Sequence, residues 1–316
     1  MPVVIEVLAL KGAFPSSVAV SFDIFATANR LREQAGRPAA FALRAAGSGA
    51  RQARAFVGGE DAEGPAAVIL VPGLALTSEA EVAERLGRRD AAAARRRLVQ
   101  AAEGGVQIAA ACSGVFLVAS AGLLAGRRAT TTWWLAPLFR RLHPDVTLHT
   151  DALIVTDGPI TTAGAALAQL DLSLAIVARH AGSGLADACA RYLLLDQRRS
   201  QSRYMALSYL AAADERVAQA ERWARERLET PFGVDDMAAA AALSPRTFAR
   251  RVERTTGLSP VQLLQRLRVE KAVEMIETTR LPFDEIARRV GYADPSTLRR
   301  LIRRHVGSGP RPLRAG

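Results

Sequence analysis

Apolar and polar positions along this chain follow two different rhythms, and the change between them divides it. In the front two-thirds, short, mainly apolar runs alternate with stretches of helical period. Residues 3–10, Phe41–Ala46, 67–71 and 106–111 are runs of strand length. A run such as Val68-Ile-Leu-Val71 suits a strand buried on both faces, as in a parallel sheet. Between these runs, residues 17–31 place Val20, Ile24 and Ala28 on one helix face. Residues 79–103 form a charged, alanine-rich helical region, and residues 113–121 read as a further helix. Strands alternating with helices predict βαβ units and a doubly wound α/β sheet. Further on, the pattern predicts a strand pair around 147–149 and 153–155, then a long apolar helix over 165–178.

Residues 196–204, Asp-Gln-Arg-Arg-Ser-Gln-Ser-Arg-Tyr, are polar and lack either period, which predicts an interdomain linker. Helical period resumes over 214–228, where Val217, Ala220, Ala224 and Leu228 share a face. The expected division is a domain over 1–195, a linker over 196–213 and an all-α domain over 214–316, with the boundary near residue 205. Within the tail one pattern occurs twice, about fifty residues apart. The first copy runs from Met237 to Val252 and closes on Gly257-Leu-Ser-Pro260; the second runs from Ile286 to Ile302 and closes on Gly307-Ser-Gly-Pro310. Each predicts a short helix, a tight turn and a second amphipathic helix, the layout of a helix-turn-helix. Ser244-Pro245 and Asp294-Pro295 supply an N-cap and a first-turn proline for the two second helices. Phe248 with Val252, and Leu298 with Ile302, are the expected buried pairs. Ser259-Pro260 starts a helix through about Ile276 that holds the two units apart.

Charge sharpens this picture. The chain of 316 residues carries a formal net charge of +11, but residues 237–316 hold 16 basic and 7 acidic side chains, leaving the rest near neutral. A basic tail behind a neutral front predicts a polyanion partner for the tail. Cys112 and Cys189 are the only cysteines, too few for a disulfide framework or a zinc site and consistent with a reducing cytoplasm. No cofactor is expected. The first residues lack a basic region followed by an apolar stretch, so no signal peptide is expected. The uncharged stretch 104–126 is long enough to span a bilayer, but its glycines and polar residues divide it into strand, turn and helix, so no membrane span is expected.

At the doubled pattern the sequence resembles the AraC/XylS family of bacterial transcriptional regulators. Leu243-Ser-Pro-Arg-Thr-Phe-Ala-Arg-Arg-Val252 with Thr256-Gly-Leu-Ser-Pro260 is similar to the family's first reading helix, and Ile286-Ala-Arg-Arg-Val-Gly-Tyr-Ala-Asp-Pro-Ser296 to its second unit. The resemblance covers about residues 214–316 and implies base contacts at Arg246, Ala249 and Arg250, and at Pro295, Ser296, Arg299 and Arg300. Arg254, Thr297, Arg303 and Arg304 complete the candidate DNA-binding set. Arginine suits both tasks there, as a bidentate fork onto guanine and as a phosphate contact.

The front resembles the PfpI-type, class I glutamine-amidotransferase-like superfamily across about residues 3–195. The matching stretches are Leu70-Val-Pro-Gly73, Ala110-Ala-Cys-Ser-Gly-Val-Phe116, Ala121-Gly-Leu-Leu-Ala-Gly-Arg-Arg-Ala-Thr130 and Thr161-Thr-Ala-Gly164. This implies a flavodoxin-like fold, and the pairing of the two domains resembles the GlxA group of regulators. Cys112, between a strand and a helix, stands where a nucleophile is presented near helix N–H groups that stabilise a thiolate. Such a nucleophile normally needs a base, most often histidine. In the superfamily's enzymes a histidine follows the arginine-threonine stretch; here Thr132 holds that place, and His143, His149, His180 and His305 all fall elsewhere.

The expectation is therefore a ligand site rather than a catalytic one, built from Gly73, Cys112, Ser113, Thr131, Thr132 and Trp133 at the carboxyl ends of the strands. The expected effector is a small molecule, amino-acid-like or cationic, since Trp133 and Trp134 offer an aromatic face. Further expected partners are double-stranded DNA, RNA polymerase and a second copy of the chain in a homodimer. Two other readings stay open: a cysteine hydrolase or glyoxalase-like enzyme with a DNA-binding appendage, and a DNA-binding dimer that needs no ligand. Glu6, in the middle of an apolar strand, has no interpretation from sequence.

Overall fold

The computed structural model describes residues 1–57, 61–196, 198, 200–306 and 309. The described chain divides into two units, Met1–Gln201 and Ser202–Gly316. The first contains β1 (Val3–Leu8), α1 (Pro15–Gln34), β2 (Phe41–Ala46), α2 (Ala50–Ala53), β3 (Val68–Val71), α3 (Glu79–Gly87), α4 (Arg89–Glu103), β4 (Gln107–Ala111) and α5 (Gly114–Ser120). It continues through β5 (Arg128–Ala129), α6 (Ala136–Leu142), β6 (Thr147–Leu148), β7 (Ile154–Asp157), β8 (Ile160–Ala163), α7 (Ala168–Ala181) and α8 (Ser183–Tyr192).

Six strands form one sheet in the order β2-β1-β3-β4-β8-β7, parallel except for the β7–β8 hairpin. The order reverses between β1 and β3, as in a doubly wound fold. Alternate residues of each strand serve opposite layers. Ile5, Val7 and Ala9 join Phe22, Phe25, Leu172 and Ile176 in one core. Leu8, Ile69 and Val71 join Val82, Leu98, Val115 and Phe139 in the other.

Glu6 lies on the second face, fully buried, in register with Arg44 of β2. Its carboxylate pairs with Arg44 at 2.7 Å and with Arg97 of α4. Burial alone would raise its pKa, but hydrogen bonds from Arg97 and Arg44 outweigh that and hold it below the usual carboxylate value.

Four expectations change. The helical region 79–103 is two helices, broken at Arg88, whose extended backbone (ψ 150°) caps the second. The stretch 147–149 pairs with β5 rather than with 153–155, which instead enters the hairpin with β8. On α1, Ile24 and Ala28 are buried but Val20 is only half-buried, because Ser17, Ser21 and Phe22 occupy the inward face. Finally, the expected linker contains a helix, α9 (Leu207–Ala211), whose Leu207 and Ala211 are buried in the core of the second unit.

Among the described residues that second unit is all helical: α9, α10 (Glu215–Arg225), α11 (Val234–Ala240), α12 (Pro245–Thr256), α13 (Pro260–Thr278), α14 (Phe283–Arg289) and α15 (Pro295–Val306). It has two apolar cores. Phe248 and Val252 of α12 join Met237, Leu263 and Leu267 in the first. Leu298 and Ile302 of α15 join Ile286, Ala272 and Ile276 in the second. The shared helix α13 thus contributes its first half to one core and its second half to the other.

Candidate DNA-reading surface and effector site

The two heads are built by local chemistry. In each, the chain enters the left-handed region two residues beyond the first helix, at Ala242 (φ 53°) and Gly291 (φ 81°). The second helix then starts from a capping side chain. Ser244 Oγ accepts from the Thr247 N–H at 3.3 Å, and Asp294 Oδ1 accepts from the Ser296 N–H at 2.9 Å. The linking helix α13 starts from a reciprocal box, in which Ser259 Oγ accepts from Gln262 N–H and Gln262 Oε1 from Ser259 N–H.

With Phe248, Val252, Leu298 and Ile302 turned inward, helical period turns the arginines out. Arg246, Arg250, Arg300, Arg303 and Arg304 are exposed, with no hydrogen-bond or ion-pair partner among the described residues. The other candidates are more constrained. Arg254 is exposed but ion-paired to Asp214 at 3.1 Å, and Arg299 lies over the Phe283 ring at 5.0 Å. Ser296 and Thr297 both direct their hydroxyls to the capping Asp294. Ala249 and Pro295 are half-buried. Gly307 and Pro310 lie outside the described residues.

Asp214 is a residue that sequence reasoning missed. It caps α10, accepting from the Arg216 and Val217 N–H groups at 3.1 and 3.4 Å. The same carboxylate pairs with Arg251 at 2.9 Å and with Arg254 on α12. Burial opposes ionisation, but the Val217 N–H and the Arg251 charge prevail, leaving its pKa lowered. An aspartate opening a helix was a legible signal; its reach to residues 37 and 40 positions away was not.

In the first unit, Cys112 sits at the β4–α5 turn with φ 55°, the strained conformation of a strand-to-helix elbow. Its N–H is bonded to the Gly164 carbonyl at 2.7 Å, and Thr131 Oγ1 donates to its carbonyl at 2.8 Å. Gly73 approaches so closely that a β-carbon there would stand 3.1 Å from Cys112 Cβ. Ser113 Oγ accepts from the Leu74 N–H at 2.9 Å. The hydroxyl of Thr132 faces the thiol and has no conventional hydrogen-bond partner among the described residues.

Five of the six expected site residues therefore converge, but Cys112, Ser113, Thr131 and Thr132 are all buried. Trp133 is half-buried and meets Trp134 edge-on at 5.4 Å, while the Trp134 indole N–H bonds the Leu76 carbonyl. The thiolate expected at the elbow is disfavoured: burial raises the Cys112 pKa, and the polar groups of Ser113 and Thr132 only soften the effect. His143 packs on Phe139, and His180 pairs with Gln107.

Sequence reasoning also missed the polar support beneath the elbow. Ser17 Oγ accepts from the Gly73 N–H at 3.2 Å and donates to Gln169. The available signal was the helical spacing of Ser17 and Ser21 with the apolar Ile24 and Ala28, which puts both serines on the inward face. Gln201 inserts its amide beside Gly164 and donates to the Thr131 and Thr150 carbonyls at 2.9 and 2.8 Å.

A doubly wound α/β unit followed by paired helix-turn-helix heads defines the class: a two-domain helix-turn-helix protein. Residues 237–316 match the family model described as a helix-turn-helix domain, and this part of the chain is of the AraC type. The chain is similar to the HTH-type transcriptional regulator GlxA of Rhizobium meliloti, 28% identical over 224 residues, which span 66% of this chain and 65% of that protein. An alignment of that length reaches beyond the helical unit into the α/β unit. The chain thus spans a little under two thirds of that relative's length.

Two solved structures align with its parts. Drosophila melanogaster DJ-1β covers 62% of this chain and 100% of its own, at 17% identity and a TM-score of 0.45. The DNA-binding domain of AdpA, solved in complex with a target DNA, covers 32% of this chain and 92% of its own, at 40% identity and a TM-score of 0.31. Among the described residues no helix is long and apolar enough to cross a membrane, and no group of three or more His, Cys, Asp or Glu side chains could hold a metal ion.

Proposed function

We infer that this protein is a sequence-specific DNA-binding transcriptional regulator acting in the cytoplasm. The observation that carries the reading is the pair of capped helices α12 and α15, each offering exposed arginines with no hydrogen-bond or ion-pair partner among the described residues. An unpaired guanidinium is available to a base edge or a phosphate, whereas one already neutralised in the fold is not. Arg246, Arg250 and Arg300 are the base-reading candidates, and Arg303 and Arg304 the phosphate anchors, with Ala249, Ser296, Thr297, Arg254 and Arg299 lining the same faces. The regulator named GlxA supports the same role by similarity.

The α/β unit is the sensing and dimerising part. Gly73, Cys112, Ser113, Thr131, Thr132 and Trp133 form the effector site, and a small amino-acid-like or cationic molecule that opens it alters how the heads hold DNA. Cys112, Ser113, Thr131 and Thr132 are buried, so binding there requires the site to open, and the raised thiol pKa supports sensing rather than turnover. A homodimer presented to RNA polymerase completes the reading.

The test is selection of duplexes from a random pool by the full chain. It is expected to enrich two elements about 34 Å apart on one DNA face. Inserting half a helical turn between them is expected to abolish tight binding. Recovery of no common sequence contradicts the reading.

A further inference from the structure

The two heads are tied together by one arginine that belongs to neither reading face. Arg268 lies on α13, near the point where that helix passes from the first apolar core to the second. Its guanidinium donates to the Phe232 carbonyl at 3.1 Å and to the Gly291 carbonyl at 3.4 Å. It also lies 5.6 Å from the centroid of the Phe232 ring and 5.8 Å from that of Tyr292. Phe232 immediately precedes the first head and packs on its core, edge-on to Trp223; Tyr292 packs on the core of the second. One planar cation therefore touches the leading edge of one head and the turn of the other, with an aromatic ring and a carbonyl on each side.

Gly291 shows how closely the contact is fitted. A β-carbon there would stand 2.9 Å from Arg268 Cζ and 3.0 Å from one of its terminal nitrogens. The turn of the second head has no side chain where the guanidinium lies, and Arg268 Nε and the Tyr292 hydroxyl are enclosed around it.

We propose that Arg268 is a positioning residue for DNA reading: by clamping Phe232 to the Gly291-Tyr292 turn it fixes the relative orientation of α12 and α15, and so the spacing between DNA elements that the chain accepts. The proposal rests on the DNA-reading function inferred above. Two binding modules held rigidly gain affinity only for sites that match their span, and a looser link broadens the match while lowering the peak.

Two measurements test it, both on the full chain. The first compares wild type with Arg268→Met, which keeps the stem, and Arg268→Lys, which keeps the charge but not the fork. Affinities are read on the duplex selected by wild type, on versions with one or two base pairs added or removed between the elements, and on a version with one element scrambled. Both variants are expected to lose about tenfold on the selected duplex and to flatten the spacing profile. They should match wild type on the single-element duplex. An unchanged spacing profile, or an equal loss on the single-element duplex, overturns the proposal.

The second measurement needs no DNA. Spin labels attached after Glu253→Cys and Arg303→Cys report the distance between α12 and α15 by pulsed electron resonance; Cys112 and Cys189 are buried. A narrow distribution that broadens in Arg268→Met supports the clamp, and identical distributions overturn it. If wild type selects no duplex, the DNA reading fails, and the distance distribution still decides whether Arg268 orients the heads.

Discussion

Asp214 offers the sharpest separation of stability from DNA contact, because one carboxylate both caps α10 and neutralises two arginines of a reading helix. Asp214→Asn keeps a side-chain oxygen for the cap but removes the charge from Arg251 and Arg254, whose side chains are 36% and 65% exposed. Pairs so open to water contribute roughly 0.5 kcal/mol each, so Asn should cost about 1 kcal/mol. Asp214→Ala also removes the cap, adding about 1 kcal/mol more. Urea denaturation of the full chain reads both costs.

The sign with pH follows from the lowered pKa of this carboxyl. A depressed group stabilises the fold above its unfolded value and loses that contribution as pH falls through the folded one. The gap between wild type and Asp214→Asn is therefore expected to be constant from pH 7 to 5 and to shrink below about pH 4. On DNA the same variant should act in the opposite direction. Freed from its partner, Arg254 becomes available to a phosphate, so binding to scrambled duplex should tighten and the salt slope steepen by about 0.9. Equal stability of the Asn and Ala variants would refute the capping role. An unchanged salt slope would refute the idea that Asp214 withholds Arg254 from DNA.

Two further outcomes are expected. Glu6→Gln leaves Arg44 and Arg97 around a neutral amide and should cost about 2 kcal/mol in urea denaturation, less than a wholly buried pair because both arginines reach solvent; an unchanged midpoint would contradict this. Cys112, buried and with its thiol pKa raised, should react with iodoacetamide at pH 7.5 far more slowly in the folded chain than in urea, and Cys112→Ser should leave DNA binding of the unliganded protein intact. Rapid native alkylation, or an esterase or glyoxalase activity lost in Cys112→Ser, would restore the enzyme reading.

What was legible in the sequence was what neighbouring residues decide. The caps at Ser244, Asp294 and Ser259 and the inward pairs on α12 and α15 depend on spacings of three or four residues, and the structure shows each of them. Val68–Val71 is a strand buried along its whole length, as an unbroken apolar run between parallel neighbours allows. The hairpin of β7 and β8 was hidden by its threonines, Thr156, Thr161 and Thr162, which break that run. Glu6 had no meaning until β2 and α4 brought Arg44 and Arg97 across 38 and 91 positions. The elbow at Cys112 was legible from the strand, small-residue turn and helix around it. Its burial was not, because α1 supplies Ser17 and the chain returns with Gln201 to close the surroundings. The same limit applies to Arg254 and Arg299: exposure follows from helical period, whereas their engagement with Asp214 and Phe283 follows from tertiary packing.

The central claim, that the free arginines of α12 and α15 read base sequence, is tested most directly by measuring binding of wild type, Arg250→Ala, Arg300→Ala and Arg304→Ala to selected and scrambled duplexes at several salt concentrations. Arg250→Ala and Arg300→Ala are each expected to cost about 1–3 kcal/mol on the selected duplex and almost nothing on the scrambled one. Arg304→Ala is expected to weaken both alike and reduce the salt slope by about one unit. Equal weakening of both duplexes by Arg250→Ala and Arg300→Ala would make these residues anchors and contradict the assignment of the reading surface.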